Sequence, residues 1–148
     1  MKPQSPLITL RDLAQDAVEQ ATQQLGQVRK AQQAAEQQLS MLLNYQDEYR
    51  QKLNHQLSDG MDSSHWQNYQ QFIGTLEQAI EQHRNQLMQW GQKVDHAMKQ
   101  WQDKQQRLNA FDTLHTRAQS AERQRENKRD QKLMDEFAQR SSQRNLHP

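Results

Sequence analysis

From Trp66 to Phe111 the large apolar residues recur at alternating gaps of three and four: Trp66, Tyr69, Ile73, Leu76, Ile80, His83, Leu87, Trp90, Val94, Ala97, Trp101, Lys104, Leu108 and Phe111. A 3.5-residue apolar repeat sustained this long draws a narrow stripe along one helix, the pattern of a coiled-coil strand. Only His83 and Lys104 break it with polar side chains, and all three tryptophans lie on it. A helix standing alone would leave those indoles in water, so the stripe requires a partner helix.

The partner can come from the same chain. Proline occurs only at Pro3, Pro6 and Pro148, so nothing between residues 7 and 147 forbids a helix. Only 32% of the 148 residues are hydrophobic, well below the share of about 45–50% in ordinary globular domains, which argues against a compact, many-layered core. Glutamine takes up the difference. Its 30 copies are dispersed among helix formers instead of forming a tract, which reads as an uncharged solvent face and not as a prion-like segment.

A first helix is expected over about residues 6–57. Ser5 and Pro6 make one start signal, Thr9 with Asp12 a competing one. Its stripe runs Ala14, Val18, Ala21, Leu25, Val28, Ala35, Leu39, Leu42, Tyr49 and Leu53, interrupted at Gln32 and Gln46. Residues 58–64 form the only interior cluster of turn residues, with Gly60 suited to the left-handed position after a helix, and Ser64 with Gln67 reads as a capping box. A second helix is expected over about 65–140, followed by a free tail at 141–148. A short connection between long helices makes them antiparallel neighbours. The expected fold is therefore all-α, a single coiled-coil domain in which facing residues have numbers summing to about 121. Pairing residues 65 to about 114 with the first helix gives a rod of roughly 75 Å at about 1.5 Å per residue, with the last thirty residues projecting past the N-terminus of the first helix.

Chemistry is harder to find. The four glycines build no phosphate-cradling loop, and no metal-ligand spacing appears among His55, His65, His83, His96, His115 and His147. Absence of cysteine rules out disulfides and thiol nucleophiles. A two-stranded coil encloses no cavity of the usual small-molecule size, about 300 Å³ or more. No enzyme, cofactor or small-molecule substrate is expected. Net charge is +1, with 19 basic and 18 acidic residues, so nucleic acid is not a favoured partner either. With no secretion signal and no apolar run of membrane-spanning length, the chain is expected to be soluble and cytoplasmic.

Apolar residues off the seam are the informative ones. Gln38, Leu42, Tyr45 and Tyr49 step by four, three and four, as do Phe72, Leu76, Ala79 and His83. The antiparallel register pairs the two sets at one height. Tyr45, Phe72 and Ala79 lie beside the seam, while the others can edge it. A binding patch and a locally widened core both fit this spacing, since aromatic anchors dominate interfaces and also fill cores. In the projecting segment, Arg123, Arg125, Lys128, Arg129 and Lys132 alternate with acids, as on a solvated face, and a nucleic-acid clamp would need a cleaner basic stripe. Leu133, Met134 and Phe137 form a small uncovered apolar patch better suited to docking on protein.

Three strings resemble the FliJ family, the small soluble component of the bacterial flagellar type III export apparatus. They are residues 44–50, NYQDEYR; residues 68–73, NYQQFI, with 75–84, TLEQAIEQHR; and residues 130–140, DQKLMDEFAQR. The resemblance implies an antiparallel two-helix coiled coil like the stalk subunit of rotary ATPases. It implies association with the hexameric flagellar export ATPase and promotion of its ring assembly, contact with the cytoplasmic domain of the export gate, and handling of export chaperones at the cytoplasmic face of the inner membrane. The gate contact would map onto Gln38, Leu42, Tyr45, Tyr49, Phe72, Leu76, Ala79 and His83, which favours the binding reading of that patch. The termini end, with Lys128, Arg129, Lys132, Leu133, Met134 and Phe137, would meet the ATPase ring. A general export chaperone and a self-associating structural coiled coil are the rival expectations.

Overall fold

In a computed structural model, which describes residues 5–146, two helices account for almost every position: α1 (Pro6–Asp59) and α2 (Ser63–Leu146), joined by residues 60–62. They fold back on each other as an antiparallel hairpin, and there is no strand among the described residues.

Local chemistry sets the helix ends. Ser5 caps α1: its Oγ accepts from the Leu7 N–H at 3.3 Å and its carbonyl accepts from Ile8 at 3.0 Å, with Pro6 at the first helical position, so this signal prevails over Thr9 with Asp12. At the turn, Gly60 takes φ 87°, and its N–H donates to the Leu57 carbonyl at 3.4 Å. That is the left-handed stop expected of glycine after a helix. The start of α2 differs from expectation. Trp66 N–H donates to the Asp62 carbonyl at 3.1 Å, which makes Asp62 the cap, and Ser64 lies inside the helix with its hydroxyl donating to the Asp62 carboxylate at 3.1 Å. A carboxylate at that end also faces the positive pole of the helix dipole, an advantage Ser64 lacks.

Helix α2 runs to Leu146, so the expectation of a free tail from Ser141 is corrected over 141–146. No helix breaker precedes Pro148, and Gln and Arg are good helix formers, so the two serines alone do not stop it. His147 and Pro148, like Met1 to Gln4, lie outside the described residues.

Packing divides the chain into two units. One comprises Glu19–Asp103. Its buried residues are Ala21, Leu25, Ala35 and Leu53 from α1, and Ile73, Leu76, Ile80 and Ala97 from α2. Each fully buried aliphatic side chain contributes about 1.5–3 kcal/mol, while the alanines let the helices approach. The tryptophans are less buried than their seam positions suggest. Trp66 is 37% exposed and Trp90 and Trp101 are half-buried. An indole is too wide for a one-layer seam, so it lies across the cleft; Trp101 Nε1 donates to Thr22 Oγ1 at 3.0 Å, and Trp90 carries Lys93 Nζ 4.4 Å from its ring centroid.

The other unit comprises Met1–Val18 and Lys104–Pro148. Its core is Ala14, Val18 and Leu108, with Phe111 packed against them. Arg11 pairs with Asp112 across the two helices. That carboxylate holds the Arg11 guanidinium above its ordinary range, through the hydrogen bond first and charge second. The half-burial of Leu7, Ile8 and His115 continues the packing for about one more turn. Every side chain from 116 to 145 is exposed, the projecting segment anticipated from the chain lengths.

Candidate functional site

On the unit Glu19–Asp103, the two predicted sets of residues are brought to one level of the hairpin at one contact: the rings of Tyr49 and Phe72 lie 4.3 Å apart between centroids, tilted by 36°. Tyr69 joins them, 6.1 Å from Tyr49. The result is a three-ring cluster across the helix pair, an arrangement that stabilises by about 0.5–1.5 kcal/mol per ring pair beyond area burial. The ring pair matches the predicted register.

The eight predicted residues do not share one environment. Tyr45 and Phe72 are surface side chains, 49% and 42% exposed, and Gln38, two turns before Tyr45 on α1, is exposed as well. Leu42, Tyr49, Ala79 and His83 are half-buried. Leu76, at 8% exposure, belongs to the core. Its place on the seam turns it inward, so it underlies the patch while side chains such as Tyr45 and Phe72 on the flanks reach out. His83 Nδ1 is buried with no hydrogen-bond partner among the described residues.

Spacing alone missed three features. Met41, four residues before Tyr45 and therefore on the same helix face, is exposed and extends the apolar surface. Lys52 Nζ lies 5.8 Å from the Tyr49 ring centroid. Arg50 pairs with Glu77 at 3.5 Å, both side chains more than half exposed, a contact worth at most about 1 kcal/mol that defines one edge of the surface. The i,i+4 step from Met41 was visible beforehand; the Arg50–Glu77 pairing depends on the height at which the helices meet.

On the other unit, Lys128, Arg129, Lys132, Leu133, Met134 and Phe137 all sit on the unpaired part of α2. The three apolar ones are among the most exposed large side chains of the chain. Glu122 and Arg125 pair along the helix at 3.8 Å.

Nothing in these surfaces resembles a reaction centre. Among the described residues no group of three or more His, Asp or Glu could hold a metal ion, and no helix is long and apolar enough to cross a membrane. The clefts are open grooves on the helix pair; one of about 480 Å³ is lined mainly by glutamines such as Gln24, Gln27, Gln89 and Gln92. What the geometry offers is contact area: aromatic and thioether side chains bordered by charge.

The family model for the flagellar FliJ protein matches residues 2–147. The chain belongs to the FliJ family. It is 54% identical over 144 residues to the flagellar FliJ protein of Salmonella typhi, covering 97% of this chain and 98% of that one. Identity and coverage are the same with the flagellar FliJ protein of Escherichia coli strain K12. A more distant FliJ protein, from Buchnera aphidicola of Acyrthosiphon pisum, is 32% identical over 77 residues, 52% of this chain. Membership in the FliJ family was legible in strings 44–50, 68–84 and 130–140, which are largely off the coiled-coil seam.

Proposed function

We propose that the chain is a non-catalytic component of flagellar type III protein export, acting as a stalk-type coupling protein between the hexameric export ATPase and the export gate. In this reading the unpaired part of α2, with Lys128, Arg129, Lys132, Leu133, Met134 and Phe137, meets the ATPase ring and promotes its assembly. The surface around Tyr45 and Phe72, edged by Gln38, Leu42, Tyr49, Ala79 and His83, meets the cytoplasmic domain of the gate. Leu76 supports that surface from beneath. The protein also handles export chaperones, and works in the cytoplasm at the inner-membrane face of the flagellar base.

The observation that supports this reading is the exposed pair Tyr45 and Phe72, the second of them stacked on Tyr49, in a chain of the FliJ family. A solvated face has no need of such rings, whereas aromatic anchors on a rigid support are what interfaces use. The test is a binding titration of the purified chain against the gate's cytoplasmic domain, with Tyr45→Ala and Phe72→Ala compared with exposed glutamine variants on the opposite face. Loss confined to the aromatic variants supports the gate contact; equal binding by all variants refutes it. Hexamer formation and ATP hydrolysis by the ATPase, measured with and without the chain, test the ring contact separately.

A further inference from the structure

The unit containing Met1–Val18 and Lys104–Pro148 holds a second, chemically different surface. A groove of about 240 Å³ runs between the helices, with Leu10, Leu13 and Ala17 on one wall and Lys104, Arg107 and Phe111 on the other. Leu10 and Leu13 are exposed, Leu13 by 59%, although the seam at Ala14 directly beside them is buried. The α1 wall follows the i, i+3, i+7 spacing of a helix face, so the groove is about two turns long.

Its lining carries two cations and no carboxylate. Lys104 and Arg107 stand three residues apart on one face of α2. Among the described residues neither takes part in an ion pair, and the carboxylate of Asp112, further along the same helix, is paired with Arg11. Lys104 is also one of the two polar interruptions of the seam, a place where an apolar residue would have packed better. Two cations outside the ion pairs of the described residues, lining one groove with exposed leucines, mark a surface complementary to acid and apolar groups together.

The geometry points to a docking groove for an acidic amphipathic helix of a protein partner, whose apolar ridge fills the space between Leu10, Leu13 and Phe111 while two carboxylates, three or four residues apart, meet Lys104 and Arg107. Concavity selects the class of partner: a helix ridge fits between two helices, whereas a lipid surface would need a convex face and nucleic acid a longer basic stripe. The inference depends on neither the gate contact nor the ring contact.

The experiment uses the full chain and a fluorescein-labelled helical peptide of roughly four turns, carrying a leucine stripe flanked by paired glutamates, with an isomer bearing lysines in place of the glutamates. Fluorescence anisotropy should show the acidic peptide binding at least about tenfold tighter than its basic isomer. The double variant Lys104→Glu/Arg107→Glu should reverse the preference, Lys104→Gln/Arg107→Gln should abolish it, and Leu13→Gln should weaken both peptides. Circular dichroism checks that each variant keeps its helix content, and the neutral pair serves if the reversed pair fails to fold. Equal affinity for the two peptides, no binding by either, or a preference untouched by the charge variants would overturn the proposal. So would vesicles containing phosphatidylserine that bind through the same two cations while the peptide does not, since they would identify the surface as lipid-directed.

Discussion

Replacing Leu76 with Ala separates core from surface within the aromatic patch. The side chain is 8% exposed, and the substitution removes three carbon groups from the seam. At about 0.8 kcal/mol for each buried group the transfer loss is about 2.4 kcal/mol, and because a two-helix seam is open at its sides, little cavity cost is added. The expected destabilisation is thus about 2–3 kcal/mol. Phe72, at 42% exposure, loses roughly half of a ring's burial and its stacking on Tyr49, but alanine returns about 0.5 kcal/mol of helix propensity, leaving a net loss of about 1 kcal/mol. Tyr45→Ala should cost less still. Urea unfolding followed by helical ellipticity measures all three on one scale. If Leu76→Ala falls within about 0.5 kcal/mol of the unaltered chain, or below Phe72→Ala, the inward placement of Leu76 is wrong. The ordering decides how binding data are read: weaker gate binding by Phe72→Ala reports a lost contact, whereas in Leu76→Ala it also reports a loosened support.

Four further outcomes are expected. Gly60→Ala should destabilise by about 1 kcal/mol through backbone strain alone, because φ is 87° and no atom lies within 4 Å of an added Cβ; Gly60→Asn, which tolerates this conformation, should recover part of the loss in the same urea assay. Brief trypsin treatment should cut first after Arg123, Arg125, Lys128, Arg129 and Lys132, where α2 has no packing partner, and mass spectrometry showing first cuts within residues 14–53 would contradict that order. Single-tryptophan variants should show Trp66 the most accessible to acrylamide and Trp101, hydrogen-bonded to Thr22, among the less accessible. Because Asp112 raises the Arg11 pKa, the stabilisation from Arg11 is fully present below the ordinary arginine pKa and is lost only as pH rises through the higher folded value. Amide exchange in the first turns of α1 should therefore not lose protection through Arg11 titration across the mildly alkaline range, whereas Arg11→Met should accelerate it and Arg11→Lys should restore part of the protection.

Most of the fold could be read from two signals, the seam of Trp66 to Phe111 and the turn residues around Gly60. A 3.5-residue period needs no tertiary knowledge, and glycine at a helix end has one dominant use. The same period identifies which stripe is buried but not how deeply. Leu76 and Trp66 both fall on it, yet Leu76 is core and Trp66 is surface, because depth depends on side-chain width against the gap between two backbones. The cap of α2 was misplaced by two residues because Ser64 with Gln67 completes a capping box and Asp62, followed by His65, does not; the Trp66 hydrogen bond nevertheless makes Asp62 the cap. Within the site, Tyr45 and Phe72 were recoverable as apolar residues off the seam. The Arg50–Glu77 pair was not, since cross-helix ion pairing follows from the height at which particular turns meet.

Arg11 and Asp112 stand 101 residues apart in the chain. At a translation rate of about 5–20 residues per second, the start of α1 leaves the ribosome on the order of 5–20 s before its mate is made. During that interval its inward face must survive bare among other nascent polypeptides. Its early stripe offers Ala14, Val18 and Ala21, side chains too small to make a sticky surface, while all three indoles are encoded after the turn, where the waiting strand is already at hand to receive them. The unequal ridges of the hairpin thus suit the direction in which it is synthesised.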